Sequence, residues 1–408
     1  MAIQPTSAQS IKAAGAPNAD QVDGSKAGAT GVDGVDKAII PANPGASYRQ
    51  LKGQIDAAIA RVLNSGMYIL GSEVAAFEAE FARWQASRHA LGCANGTDAL
   101  ALILRGLGIG AGAAVVTVSH TAVATVAAIE MTGAAPVLVD VEPDYFTMDP
   151  RDLQRILERP PAGLAPIRAV IPVHLYGQAA DLDSILPICD RFGVAVIEDC
   201  SQAHGALYKG RKVGAFGRAA AFSLYPTKNL GAFGDGGIVT TDDDALAARI
   251  GSLRQYGWKD RYISDSVGVN SRLDEIQAAI LRVKLPRLDE HNARRDVIAQ
   301  RYDAALVNGR LRPPARRLGA THVFHQYVVQ SPDRDALKIR LNRLGIGAGI
   351  HYPVPVHRQP AYVGRVALGP AACRATEVAA SRVLSLPVYP ELTEAEVARV
   401  SEALGMLN

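Results

Sequence analysis

Short unbroken apolar runs alternate along this chain with longer stretches in which apolar residues recur every third or fourth position. The runs are AVVTVS (114–119), PVLVDV (136–141), AVIPVHL (169–175), VAVIE (194–198) and AAAFSLY (219–225). They show no polar alternation, which predicts strands covered on both faces. Leu51, Ile55, Ile59 and Val62 share one helical stripe that Gly66 ends, and Ser72 is placed to cap a second helix carrying Val74, Phe77, Phe81 and Trp84. A further helix over 181–192 lies between two of the runs. Strands separated by helices predict an α/β fold with a mostly parallel sheet, and ligands in such sheets sit beyond the carboxyl ends of the strands.

After GIVTT (237–241) the pattern turns helical. LDEIQAAILRVKL (273–285) runs into Pro286, which predicts a kink or break before the helical pattern resumes. A smaller β/α set follows: VFHQYVVQ (323–330), a helix near 335–344, GIGAGIHYP (345–353) and two terminal helices. The chain therefore reads as a large domain over 38–286 and a smaller C-terminal domain over 287–408. Residues 1–37 are rich in Ala, Gly, Asp and Ser and lack any aromatic residue, the composition of a disordered leader.

Composition narrows the classes. A chain of 408 residues with a formal charge of +3 fits neither a nucleic-acid coat nor an anionic-membrane binder. No segment has the apolar core of a signal peptide, and the most apolar stretch, 113–131, is broken by Ser119, His120 and Glu130. Cys93, Cys189, Cys200 and Cys373 form no C-x-x-C pair, which points to reduced thiols in a cytoplasm rather than a metal site or a disulfide framework.

Candidate chemistry gathers at strand ends. FSLYPTKNLGAFGDGGIVTT (222–241) places Lys228 in an apolar strand-to-loop run ahead of Gly234, Gly236 and Gly237. A desolvated lysine becomes a nucleophile able to form a Schiff base with a carbonyl. Asp199 follows directly on VAVIE, where it either caps the next turn or serves a ligand. NGTDALAL (95–102) opens a helix that Asn95 or Thr97 caps, or whose free N–H groups at Gly96 and Thr97 hold a phosphate. Ser223 is a second phosphate donor or a satisfied strand hydroxyl. Together, a lysine, a carboxylate and a donor nest match the needs of pyridoxal 5′-phosphate. In GIHYPVPVHRQPAY (349–362), His351, Tyr352 and His357 offer donors and an aromatic surface to a substrate, or else pack domains together.

IEDCSQAHGA (197–206), SLYPTKNLGAFGDGGIVTT (223–241) and GVNSRLDEIQAAILRVKL (268–285) resemble the hallmark blocks of the DegT/DnrJ/StrS-type sugar aminotransferases. GIHYPVPVHRQPAY and LSLPVYPELT (384–393) resemble that family's C-terminal blocks, so the likeness runs from about Ala46 to the end of the chain. It implies an aspartate-aminotransferase-like fold of pyridoxal-phosphate fold type I, with a mostly parallel mixed sheet and a smaller C-terminal α/β domain. Under it, Lys228 carries the cofactor, Asp199 pairs with the pyridine nitrogen and Gln202 bonds the phenolic oxygen. Gly96, Thr97 and Ser223 hold the phosphate, and Asn270 reaches the phosphate of a neighbouring subunit in a homodimer with composite sites.

The family's stacking aromatic aligns with Ala122 in TVSHTAVAT (117–125), which cannot stack; His120 covers the ring instead, or is merely polar at a strand end. His204 packs behind the residues that hold the cofactor or takes part in the chemistry. The implied activity moves an amino group from an amino acid, glutamate, to a nucleotide-linked keto-sugar, in amino-sugar biosynthesis for a surface polysaccharide or a secondary metabolite. HLYGQAADL (174–182) and RQYGW (254–258) are most similar to enzymes acting on dTDP-linked 3-keto-6-deoxyhexoses. Two alternatives stand beside this reading. One is a sugar dehydratase of the same fold, whose members carry histidine where Lys228 stands; the other is a catalytically silent regulatory relative.

Overall fold

The computed structural model describes residues 38–307 and 309–408, so the leader at 1–37 lies outside the described residues. Seven of the strands of the large sheet come in chain order: β1 (His89–Cys93), β2 (Ala114–Val118), β3 (Ala135–Val139), β4 (Ile167–Val170), β5 (Ala195–Asp199), β6 (Ala219–Ser223) and β7 (Gly237–Thr241). Later come β8 (Tyr327–Gln330), β9 (Ala367–Leu368) and β10 (Val383–Leu386). The large sheet has eight strands in the order β1-β7-β6-β5-β4-β2-β3-β9. From β6 to β9 all neighbours are parallel, whereas β7 runs antiparallel to both β1 and β6. Every residue of β2 is buried, as an unbroken apolar run requires when both faces are covered.

Helices α1 (Pro44–Ser65), α2 (Ser72–Gln85), α3 (Gly96–Gly106) and α4 (Val123–Met131) precede or follow the early strands. The stripe of α1 ends at Gly66 in the left-handed conformation, as its sequence predicts. The start of α2 differs from expectation: Ser72 makes no cap. The Glu275 carboxylate instead accepts the backbone N–H groups of Gly71, Glu73 and Val74 at 2.7–2.8 Å. AVIPVHL also differs, since the ladder stops at Val170 and residues Leu175–Gly177 form a 3₁₀ turn. Pro286 acts as predicted: helix Glu275–Lys284 yields to a 3₁₀ turn, Leu285–Arg287, before helix Leu288–Ala305.

β8 and β10 form their own antiparallel pair. A core of Ile298, Tyr302, Phe324, Tyr327, Leu341 and Leu384 packs around them, and Ile39 from the start of the described chain joins it. No described helix is long and apolar enough to cross a membrane.

Candidate active site

At the carboxyl ends of β5 and β6 and the start of α3 lies a cavity of about 230 Å³. Asp199, Gln202, Ser223, Lys228, Gly96, Thr97 and Ala122 all line it. Seven of the residues singled out from sequence thus converge on one space, although they come from four separate stretches of chain.

Lys228 sits in the loop after β6. Its backbone N–H donates to Tyr225 O, and the loop folds back through Ala232 N to Leu224 O. The neighbouring Asn229 amide donates to Asn292 Oδ1 at 2.8 Å and Val323 O at 2.9 Å, and Asn292 donates in turn to His204 O. These bonds fix the loop against helix Leu288–Ala305. Burial pushes the Lys228 ammonium down to about 8, with the Asp199 carboxylate opposing. About a tenth of the amine is then neutral at pH 7, far more than for an unshifted lysine, as a nucleophilic amine requires.

Asp199 ends β5 and is buried. Its Oδ2 accepts from Thr125 Oγ1 at 2.9 Å, and its Oδ1 accepts from Ser201 N at 3.1 Å. Thr121, just ahead of α4, stands 3.1 Å from Thr125 hydroxyl to hydroxyl. Gln202 accepts from Tyr176 N at 2.7 Å and donates to Tyr352 Oη at 3.0 Å, leaving one amide hydrogen for a ligand.

The start of α3 is capped by Asn95, whose Oδ1 accepts from Asp98 N at 2.8 Å. That settles which residue caps, and it leaves the first-turn N–H groups of Gly96 and Thr97 open to an anion. A Cβ on Gly96 would lie 2.8 Å from Ser223 Cβ, so only glycine lets the helix start and the strand end approach this closely. Carboxylate, amine and N–H cradle answer the pyridine nitrogen, aldehyde and phosphate of pyridoxal 5′-phosphate, and the residues present fit that cofactor.

Other predicted residues lie elsewhere. His120 does not line the cavity; it is buried against Phe146 and Tyr176, bonded to Tyr176 Oη at 2.8 Å, and burial pushes it down to about 4. Ala122 stands on the wall and offers no ring. His204 is fully buried against Phe222, and burial with the Lys228 charge pushes it down to about 3. His357 is locked by Ser119 Oγ at 2.7 Å and Glu377 Oε1 at 3.2 Å. His351 bonds Ser385 Oγ at 2.9 Å and shares a second cavity with Lys228. Asn270 is exposed outside the cavity, but the next residue, Ser271, donates to Asp98 Oδ2 at 2.7 Å and accepts from Ala94 N.

Sequence reasoning missed Thr125 and Ser201 as partners of Asp199, and Tyr225 and Asp235 on the cavity wall. Thr121 and Thr125 are spaced i, i+4 at a helix start, a signal present in the sequence but pointing to no partner. It also missed Glu198, whose side chain leaves β5 on the face opposite Asp199. Glu198 accepts from Gly214, Phe216 and Gly217 N–H groups at 2.7–2.8 Å and pairs with His174 at 3.0 Å. These bonds outweigh burial and hold its carboxyl below the usual range.

The family model described as the DegT/DnrJ/EryC1/StrS aminotransferase family matches residues 49–405. The chain is 45% identical over 360 residues to a dTDP-3-amino-3,4,6-trideoxy-alpha-D-glucose transaminase of Streptomyces venezuelae, covering 88% of this chain and 93% of that one. It is 41% identical over 360 residues to a UDP-N-acetyl-3-dehydro-alpha-D-glucosamine 3-aminotransferase of Acidithiobacillus ferrooxidans, covering 88% and 95%. The crystal structure of S. venezuelae DesV in complex with a ketimine intermediate superposes with a TM-score of 0.87 at 44% identity, over 91% of this chain and 99% of that one. The fold is that of the type I pyridoxal-phosphate enzymes, the cofactor is pyridoxal 5′-phosphate, and the chain belongs to the DegT/DnrJ/EryC1/StrS aminotransferase family.

Proposed function

We propose that this aminotransferase moves the amino group of L-glutamate to the keto carbon of a dTDP-linked 3-keto-6-deoxyhexose. The observation that carries the reading is the convergence of Lys228, Asp199, Gln202 and the Gly96–Thr97 helix start on one cavity. The dTDP-linked and UDP-linked 3-amino-sugar relatives support amination at C3 of a nucleotide-linked sugar. When bound, the cofactor supplies an electron sink for a developing carbanion. Lys228 binds it and carries the proton at Nζ. Asp199, oriented by Thr125 and Ser201, faces the ring nitrogen, while Gln202 faces the phenolic oxygen and Ser223 adds a donor to the phosphate cradle. His351 and Tyr352 stand beside these groups as sugar contacts, whereas His357 holds the loop to the end of β2.

The reading includes a cytoplasmic homodimer with composite sites. Tyr225 is half-exposed on the cavity wall, and Met67, Tyr68 and Ile69 are exposed on a segment bonded to Asp274 and Glu275. Tyr256, Tyr262, Ile263 and Val267 are exposed just ahead of Asn270. Large exposed apolar side chains in such number mark a surface meant to be covered. Asn270 on that surface supports its reach into a partner's phosphate cradle. The four buried, unpaired cysteines fit a reducing compartment. The chain divides in this reading near Pro286 into a cofactor domain and a smaller domain that closes over the sugar.

An assay of the purified protein against dTDP-, UDP- and GDP-linked keto-sugars with glutamate tests it, the amino product being detected by mass. Turnover of a dTDP-linked 3-keto-sugar is expected. Amination confined to UDP- or GDP-linked sugars would overturn the substrate assignment, and loss of a hydroxyl without amino transfer would favour a dehydratase.

A further inference from the structure

A second cavity, of about 160 Å³, meets the cofactor cavity at Lys228, the one described residue that lines both. Its wall is cationic. Arg295 and Lys284 line it, each only 6% exposed. Arg295 Nη1 donates to the carbonyls of Phe324 and Val388, but its Nε–H finds no acceptor. Lys284 Nζ donates to Gly231 O. Among the described residues neither forms an ion pair, and Glu391, half-buried, is the one carboxylate on the wall.

Burial pushes Lys284 to about 8 and Arg295 to about 10, with Glu391 opposing in both. The histidines add no charge: burial holds His291, His325 and His351 below their usual range. Buried cations that outnumber the nearby carboxylates are costly unless an anion joins them, and a guanidinium with an unused N–H is suited to a carboxylate.

We propose that this cavity seats the carboxylate of the α-amino acid that donates the amino group, with Arg295 as its anchor and Lys284 beside it. The inference rests on the aminotransferase reading, because the donor's amine must reach Lys228 and, with the larger cavity given to the cofactor, this is the other space that opens there. Size agrees. At roughly 15 Å³ per water-sized atom the cavity admits about ten such atoms, the scale of a small amino acid and far below that of a nucleotide-linked hexose. The nucleotide is therefore held elsewhere.

The test uses the full chain with its cofactor and succinate as probe, followed by titration calorimetry. Wild type is expected to bind succinate, and Arg295→Gln and Lys284→Gln each to weaken it at least tenfold. Both should raise KM for glutamate by a similar factor while KM for the keto-sugar stays within about twofold. Lys284→Gln keeps a donor for Gly231 O, so it carries the test alone if Arg295→Gln does not fold by circular dichroism. Unchanged succinate affinity in the folded variants would overturn the proposal. So would weakened binding of dTDP in place of succinate. Were no cofactor reducible onto Lys228 by borohydride, the aminotransferase reading would fail, while succinate binding would still report on the cavity.

Discussion

Thr125 is the residue on which the charge of the site turns most economically. It donates to Asp199 Oδ2 and is itself followed by Thr121, so a short row of hydroxyls leads from α4 to the carboxylate. Thr125→Val keeps the shape and removes the donor. We expect kcat to fall by about 10- to 150-fold, a loss of roughly 1.5–3 kcal/mol for one hydrogen bond to a charged group. The pH at which the bound cofactor's spectrum changes should shift with it, a change that mere loss of packing would not produce. Lys228→Ala should abolish borohydride fixation of the cofactor and lower turnover by about 10³-fold or more while the circular dichroism spectrum is retained. Near wild-type transamination in that variant would remove Lys228 from its role.

Half-buried Lys228 and buried Lys284 also give the cofactor-free protein a pH signature. Lys228 and Lys284 are both lowered from 10.5 to about 8. Between those values the native state has released protons that the unfolded chain still holds, so stability contributed by these groups rises with pH. Below 8 the cost of the buried charges is present in full. Thermal melts of wild type and Lys284→Met from pH 7.5 to 10 isolate the effect: the variant's advantage should be largest at low pH and shrink as pH rises. A constant difference across that range would mean Lys284 is protonated throughout.

At the scale of elements, what a sequence reveals depends on whether the cause is local. Unbroken runs such as AVVTVS and AAAFSLY betray buried strands because both faces of each are apolar, and Gly66 and Pro286 act on their own neighbours. β1, with His89 and Gly92 in a five-residue strand, carries too little pattern to be recognised. Ser72 looks like a cap until Glu275, about two hundred positions away, takes the same N–H groups. Asp199 was readable as a strand-end carboxylate, but Thr125 and Ser201 acquire meaning only when the sheet brings them beside it. His120 and His357, plausible ligands in one dimension, are spent on Tyr176, Ser119 and Glu377 in three. The Glu275 cap makes its own prediction. Glu275→Ala strands three donors at the start of α2, and unfolding free energy in urea should fall by about 2–4 kcal/mol. A loss below 0.5 kcal/mol would show that other groups satisfy them.

For the whole molecule, the exposed apolar surface around residues 67–69, 225 and 256–270 sets the expectation of a dimer. Sedimentation should find a dimer at working concentration. Mixing Lys228→Ala with Asn270→Ala subunits should recover part of the activity that each parent lacks, because one of the two sites in a mixed pair then carries neither lesion. A monomer with full activity would refute the shared site, as would mixtures no more active than the average of their parents.

The two acidic residues that end β5 stand back to back. Glu198 is committed to three loop amides and a histidine on one face of the sheet, and Asp199 to the cofactor cavity on the other. Side chains alternate along a strand, so a slip of one position would turn each carboxylate to the face the other now occupies. The loop 214–217 would lose its anchor at the same moment that the cavity lost its counter-charge. The strand is thus keyed like a plug with two unequal pins, and the chemistry and the scaffold verify one another's register. Exchanging the pair, Glu198→Asp with Asp199→Glu, is a sharp probe of that coupling. Charge and composition are conserved, yet both folding yield and cofactor retention should drop together.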